Sequence, residues 1–410
     1  MSTSELRETA REENKKTAKK RSPFWNLTIG GVRVFVDGGF DIIYLFLVIA
    51  LLTTGLIMMA SASYVWGKFH NNDPYHYVAK QGTFALFGLV VMFIISKINP
   101  QFIKKFAIPI SVVGFVLLVA VLFYYVPVPE NPDIKRWMPI PGTASSFQPS
   151  DIGKLAMIIG LSWGLEKGKK FLDQNMFAPL LYFGIVIVVS LLVFAESHLS
   201  CFVMIFAMGI GILFLSGMDR RWFILGFAAG VLLIAVFVIF REQILSPYQL
   251  KRITGFFEKD YTDTGTRWQT NQSLYALGSG GLFGLGLGNS RQKFLYIPEP
   301  HNDFIFAIVG EELGFFRSMI IILMFLALVA RGFMIAAKTK SMYERLLVLG
   351  ISLQVGIQSV LNILVVTDMI PNTGISLPFF SYGGTALVIL MVEMGLVLGV
   401  SRTGPRNPKR

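Results

Sequence analysis

Apolar positions along this chain collect into runs of roughly 20 residues, the length an α-helix needs to cross about 30 Å of hydrocarbon. Runs of this kind predict spans near 42–62, 81–98, 106–126, 152–166, 177–195, 199–216, 222–240, 304–330, 346–367 and 384–401, about ten helices in all. The run at 152–166 is short, and Asp151 and Lys154 stand at its start. The fold class that follows is all-α: a polytopic helical membrane protein with short connections. No repeat stands out and no stretch between the runs reads as a separate soluble domain. Residues 42–402 are therefore expected to form one helical body, with an N-terminal tail at 1–41, a C-terminal tail at 403–410 and one long polar connection at 241–303.

The distribution of charge orients this pattern. Lys97, Lys104 and Lys105, then Lys167, Lys169 and Lys170, then Arg220 and Arg221, then Lys338, Lys340 and Arg345, then Arg402 to Arg410 all fall on one side of the predicted membrane. Cytoplasmic loops carry such an excess of Lys and Arg, so both termini are expected inside. The opposite face then receives 63–80, 127–151, the corner Glu196–His198, the segment 241–303 and the turn 368–383. Lys135, Arg136 and the basic residues of the long segment are exceptions, and long loops obey the charge rule weakly.

Composition narrows the function. The formal charge is +12, but the basic residues are spread over short loops and tails rather than one soluble face, which argues against nucleic acid. The single cysteine, Cys201, lies in an apolar run and builds neither a disulfide framework nor a zinc site. Met1 to Arg21 is polar and highly charged, without the apolar core of a secretory signal, and is expected to be a disordered cytoplasmic tail.

Candidate chemistry concentrates between Gln272 and Gly314, where Tyr296-Ile-Pro-Glu-Pro-His-Asn-Asp303 leads directly into an apolar helix beginning at Phe304. Asp303 would stand where a water-facing segment meets the bilayer, hydrated enough to ionise and close to a lipid-borne substrate. The same position suits a helix N-cap. Asp151 is a second carboxylate near this face, and Arg136, Lys154, Arg267, Arg291 and Lys293 are cations. One base and several cations are what a reaction needs when it activates a hydroxyl and expels a diphosphate. Lys154, next to an aspartate in an apolar helix, is a functional candidate.

Other features admit plainer readings. Gly278-Ser-Gly-Gly-Leu-Phe-Gly-Leu-Gly-Leu-Gly288 resembles a phosphate-binding loop but lacks Gly-Lys-Ser/Thr and the strand–helix setting, which favours a tight structural loop. Phe147-Gln-Pro-Ser suits ordinary capping before a helix. Glu196 and His198 are too few for a metal site and favour a hydrogen-bonded corner. His70 and His76 are expected in a polar loop. Glu311 and Glu312, with Arg317 in the same span, and Glu393 in the last span read first as structural polar groups. Pro371 to Gly384 has too many helix breakers for a span and is too apolar for an ordinary loop, so it is expected to re-enter the membrane and line the site.

Taken together, Gly278-Ser-Gly-Gly-Leu-Phe-Gly, Pro298-Glu-Pro-His-Asn-Asp-Phe-Ile-Phe-Ala307 with Gly310-Glu-Glu-Leu-Gly314, Arg136-Trp137 with Phe147-Gln-Pro-Ser, and Ser376-Leu-Pro-Phe-Phe-Ser-Tyr-Gly-Gly384 resemble the SEDS family of the RodA and FtsW type. The run Gly286 to Tyr296 looks more like its division and sporulation branch. The resemblance covers the chain from about the first span to the last. It implies a peptidoglycan glycosyltransferase that polymerises lipid II at the outer face of the plasma membrane, beside a class B penicillin-binding protein and divisome-type membrane proteins. It implies Asp303 as the catalytic aspartate. Lys154, Arg136, Trp137, Asp151, Arg291 and Ser381 would contact the substrate or its diphosphate, and the undecaprenyl-linked glycan would be the second substrate. No cofactor is demanded, although a divalent cation, magnesium or manganese, is a candidate for the leaving charge. The family usually has glutamate at Asp151, threonine at Asn302 and Pro-Asp at Ser197 and His198, and the last departure takes the catalytic case away from that corner. Three alternatives remain at this point: an elongation-type cell-shape polymerase, a flippase for the lipid-linked precursor, and a scaffold that recruits a crosslinking enzyme.

Overall fold

The computed structural model describes residues 27–36, 38–127, 134–142, 146–226, 266–372 and 374–403, with the isolated residues 230, 243, 250 and 256. Six helices in this set are long and apolar enough to cross a membrane: α1 (Ile42–Asn71), α2 (His76–Lys97), α7 (Ala178–Ala195), α10 (Ile305–Ala337), α11 (Met342–Val366) and α12 (Gly384–Thr403). Between them lie α3 (Pro100–Lys104), the shorter apolar α4 (Ala107–Ala120), α5 (Pro149–Lys167), α6 (Lys169–Gln174), the apolar α8 (Leu199–Leu215) and the polar α9 (Thr266–Gly280). Residues 220–226 are helical, and within the span expected at 222–240 residues 227–229 and 231–240 lie outside the described residues, as do 1–26 and 404–410.

The helices outrun the apolar stretches that predicted them. α1 continues to Asn71, well past position 62, so His70 lies in its last turn and His76 opens α2 rather than both sitting in a loop. The reason is that hydropathy measures preference for lipid, whereas Ser61, Ser63 and Lys68 are compatible with helix wherever their polar groups meet protein or water. Asn72, in the left-handed region at φ 53°, ends the helix. Conversely α4 stops at Ala120, short of the expected 126. The helix α5 starts at Pro149 with Gln148 as its N-cap and no side-chain capping bond, so Ser150 does not play the capping part its position suggested.

Part of the expected N-terminal tail packs on the body. β1 (Thr28–Ile29) pairs with β2 (Val32–Arg33), Phe35 bridges to Ile98, and Arg402 Nη1 donates to the Gly38 carbonyl at 2.7 Å. Asp41 caps α1 by accepting from the Tyr44 N–H at 2.9 Å and holds Arg331 of α10 at 2.8 Å. Small residues allow close helix approach, as membrane interfaces require. Gly114 of α4 faces Ala156 of α5, and Gly395 of α12 faces the backbone of Met92 in α2.

One break in α10 places the loop beside it. Gly314 has φ 77° and ψ 179°, outside helical geometry. The carbonyls of Glu311 and Glu312 take the N–H groups of Leu285 and Gly286 at 3.0 Å each, while the N–H groups of Phe315 and Phe316 reach the carbonyls of Gly281 and Leu282. The glycine-rich segment thus supplies the bonds that the broken helix lacks, which is a structural use of its glycines. Gly284 sits at φ 82°, and a Cβ there would stand 2.2 Å from the Glu312 carbonyl oxygen. Left-handed strain of about 1–2 kcal/mol and this clash act together. Gly284→Ala is therefore expected to lower the thermal unfolding midpoint in detergent by several degrees, whereas Gly281→Ala, also left-handed at φ 54° but with open space around it, pays the strain without the clash and should cost less; equal midpoints for the two variants would contradict this account.

Candidate active site

Asp303 lies in the turn ahead of α10, half-buried. The N-cap of that helix is Phe304, so Asp303 precedes the capping position rather than occupying it. Its backbone is held from the far side of the chain. Asn362 of α11 donates through Nδ2 to the Asp303 carbonyl and to the Ile375 carbonyl, each at 2.7 Å. The Ser381 hydroxyl donates to the Asn302 carbonyl at 2.8 Å and accepts from the Leu377 N–H at 2.7 Å. The Tyr382 N–H donates to the His301 carbonyl at 2.8 Å. The irregular turn 371–384 is in this way stitched to 301–303, as its apolar, helix-breaking composition anticipated.

Other helices hold the same turn. Gln81 of α2 accepts from the Gly383 N–H at 3.2 Å and donates to the Ser381 carbonyl at 3.3 Å. Gln358 of α11 donates to the Ser376 carbonyl at 3.0 Å. Phe379 has φ 66°, and its carbonyl presses against Gly55 of α1. An aromatic wall of Trp66, Tyr77 and Tyr382 surrounds His301, whose ring centroid is 4.3 Å from that of Tyr77. Burial pushes the His301 imidazole down to about 4, so it is neutral near pH 7.

On the other side of the turn, Lys154 Nζ and Asp151 Oδ1 of α5 form a buried ion pair at 2.7 Å. They face a cavity of about 40 Å³ together with Ser381, Gln358, Gln354 and Glu393. A cavity of this size admits a few waters and no sugar. Glu393 receives both bonds of Gln354 Nε2, at 2.8 and 2.9 Å. Ser381 is the link, since it lines this cavity and also carries the Asn302 carbonyl next to Asp303.

The remaining candidates are dispersed. Arg136 and Trp137 precede a small hairpin, β3 (Met138–Pro139) with β4 (Ser146–Phe147). The Arg136 guanidinium donates to the Ser197 carbonyl, and the Trp137 ring is exposed. Neither residue, nor Arg291, lines the cavity beside Lys154. Arg291 is exposed, with its N–H bonded to Glu311 at 2.9 Å. Lys293 is buried and paired with Glu312 at 3.0 Å, and Arg267 is paired with Asp368 at 3.0 Å, so both cations are committed to structure. Glu311 and Glu312 form the structural knot expected of them: Glu311 accepts from Ser290 and Arg291, Glu312 from Ser61 and Ser290.

The corner at Glu196–His198 is bonded through Gln148 Nε2, which donates to His198 Nδ1 at 2.9 Å, and through Arg136. The Glu196 carboxyl itself is fully buried, and its oxygens find no hydrogen-bond donor among the described residues. Burial pushes it up to about 9; Arg136 opposes this and Asp151 adds to it. Spacing alone gave Glu196 no place near Asp151, because the two lie on separate elements, Asp151 in the first turn of α5 and Glu196 at the C-terminal cap of α7. Among the described residues no three His, Cys, Asp or Glu side chains converge to hold a metal ion.

Residues 42–405 match the model of the cell cycle protein family FtsW/RodA/SpoVE. The chain belongs to this family. It is 38% identical over 365 residues to stage V sporulation protein E of Bacillus subtilis, covering 88% of this chain and 97% of that one. It is 36% identical over 372 residues to the probable peptidoglycan glycosyltransferase FtsW of Geobacter sp. strain M18, with the same two coverages. In fold it is similar to a chain of a solved peptidoglycan synthase complex that coordinates polymerization and crosslinking, at a TM-score of 0.72 and 24% identity over 88% of this chain and 97% of that one. The crystal structure of Thermus thermophilus RodA superposes at 0.63 with 22% identity, over 90% and 98%. The all-α multi-pass membrane fold expected from hydropathy is thus shared with solved FtsW/RodA/SpoVE-type proteins.

Two measurements test the geometry of this FtsW/RodA/SpoVE family member. Asn362→Leu leaves two carbonyls without their donor, each costing about 1–3 kcal/mol, and should lower the unfolding midpoint while loosening 301–303 against 375. His301 has a folded value below its unfolded 6.5. Its contribution is complete above about pH 6.5 and is lost as pH falls toward 4, at up to about 1.4 kcal/mol per pH unit. A pH series of unfolding midpoints should therefore fall between those limits, and His301→Phe should flatten the decline.

Proposed function

We propose that this FtsW/RodA/SpoVE-family protein is a peptidoglycan glycosyltransferase that polymerises lipid II at the outer face of the plasma membrane in division or sporulation septum synthesis. The observation that carries the reading is the placement of Asp303: a half-buried carboxylate ahead of a spanning helix, its backbone pinned by Asn362 and by the turn that Ser381 ties to Asn302. The relatives named stage V sporulation protein E and FtsW support it.

In this mechanism Asp303 takes the proton of the acceptor sugar hydroxyl. The hydroxyl oxygen attacks the anomeric carbon of the other substrate, the carbon–oxygen bond to the lipid diphosphate breaks, and the bonding pair leaves with the diphosphate. One displacement with one base inverts the anomeric centre. A diphosphate needs its charge met rather than a proton. Lys154, paired with Asp151 beside the Ser381 turn, is the buried cation assigned to this charge, and its cavity of about 40 Å³ has to open for a diphosphate to reach it. Arg136 and Arg291 are the further cations, and the exposed Trp137 ring offers an apolar face to a sugar. A magnesium or manganese ion belongs to this reading only as a companion of the substrate diphosphate, and no step is assigned to it. The partner in this reading is a class B penicillin-binding protein. The flippase reading drew on Glu311, Glu312 and Glu393, whose bonds are structural.

Asp303→Asn is expected to yield a protein with unchanged unfolding midpoint that makes at least 100-fold less glycan from labelled lipid II, with its partner present. Polymer at the wild-type rate would remove Asp303 from the base role. Lys154→Ala should lower turnover by about 10-fold or more, with partial recovery in Lys154→Arg, since each charge-assisted bond to a developing anion contributes a few kcal/mol.

A further inference from the structure

A large apolar recess among the described residues has no part in this chemistry. It is a groove of about 570 Å³ between α4, α5 and α7. Gly153, Met157, Gly160 and Gly164 line its α5 side, on a face turned away from the one that carries Asp151 and Lys154, with Leu118 and Ser111 of α4 packed against Gly153 and Gly160. Val112 of α4 and Ile185 of α7 stand on its rims, both exposed. A recess with open aliphatic rims fits a flexible hydrocarbon chain, because the hydroxyls that line it, Ser111 and Tyr182, are already bonded to the Ala107 and Gly164 carbonyls.

One end of the groove is charged. Lys167 lines it, with its ammonium 4.9 Å from the centre of the Trp163 ring, which also lines it. Lys169 and Lys170 follow on α6, exposed like Lys167, beside the exposed Phe171 and Phe177. One cation lining the end of an apolar groove, with two more within the next three residues and aromatics nearby, is the recognition chemistry of an anionic lipid headgroup above its acyl chain. This end lies about 24 Å along α5 from Asp151, at 1.5 Å per residue over 16 residues. A lipid seated there therefore has its headgroup in the leaflet opposite Asp151 and Lys154, which separates it from the diphosphate of a substrate.

We infer that the groove between α4, α5 and α7 is a binding site for an anionic glycerophospholipid, with an acyl chain between the aliphatic rims and the phosphate at Lys167, Lys169 and Lys170. The inference does not rest on the proposed activity.

The test uses the full-length protein in vesicles containing phosphatidylglycerol or phosphatidylcholine with brominated chains, which quench tryptophan on contact. The Trp163 signal is the difference between wild type and Trp163→Phe. Brominated phosphatidylglycerol should quench it at roughly 10-fold lower mole fraction than brominated phosphatidylcholine, in keeping with the attraction of several lysines for an anionic headgroup. The combined variant Lys167→Gln, Lys169→Gln and Lys170→Gln should bring the two lipids within about twofold. Val112→Phe with Ile185→Phe, both on exposed rims, should weaken quenching by either lipid at an unchanged unfolding midpoint. Equal quenching by the two lipids in wild type, no quenching by either, or a preference that survives loss of the lysines would overturn the site. So would displacement by a polyprenyl phosphate but not by unbrominated phosphatidylglycerol.

Discussion

Backbone that leaves helical geometry inside a bilayer must find new partners for its N–H and C=O groups, because no water is present to take them. This chain departs from helix at two places near its site, and both are repaired by other parts of the molecule. The break at Gly314 in α10 is met by the backbone of 281–286. The irregular turn 371–384 is met by Gln81, Gln358, Asn362 and the backbone of 301–302. The repairs flank the first turns of α10, so the segment bearing Asp303 is held by bonds whose first role is to satisfy buried backbone. Rigidity at that point follows from the cost of leaving any of these groups unpaired.

A related constraint governs the charges. Lys154 with Asp151, Lys293 with Glu312, Arg267 with Asp368 and Arg331 with Asp41 each pair a shielded cation with a carboxylate. Removing one partner of such a pair strands the other in low dielectric. Pairing decides which cations can serve chemistry. Lys293 also donates to Ser61 and the Gly288 carbonyl and is locked into the loop, whereas Lys154, paired with Asp151, borders a cavity. The helix α5 thus separates two environments: a polar cavity on one face and a dry groove on another.

The fold is shared with solved structures at 22–24% identity. Lipid-facing side chains need only be apolar, and many substitutions satisfy that. Small residues at close helix crossings and polar residues that terminate irregular backbone have few substitutes, so the packing outlasts most of the sequence.

Much was legible from the chain alone. Apolar runs anticipated the six helices long and apolar enough to span, and the same pattern put Asp303 just ahead of one of them, because transfer to lipid is a local, additive property of consecutive residues. Helix breakers announced that 371–384 could not be a span, and the paired glutamates read correctly as structure. The ends of α1 and α4 were misjudged because lipid preference is not helix preference. Tertiary structure alone decided the partners: Asn362 with Asp303, 59 positions apart, Ser61 with Glu312, 251 apart, and Gln81 with Gly383, 302 apart. No periodicity encodes these pairings, since a hydrogen bond depends on distance in space, and that distance exists only after the helices have packed.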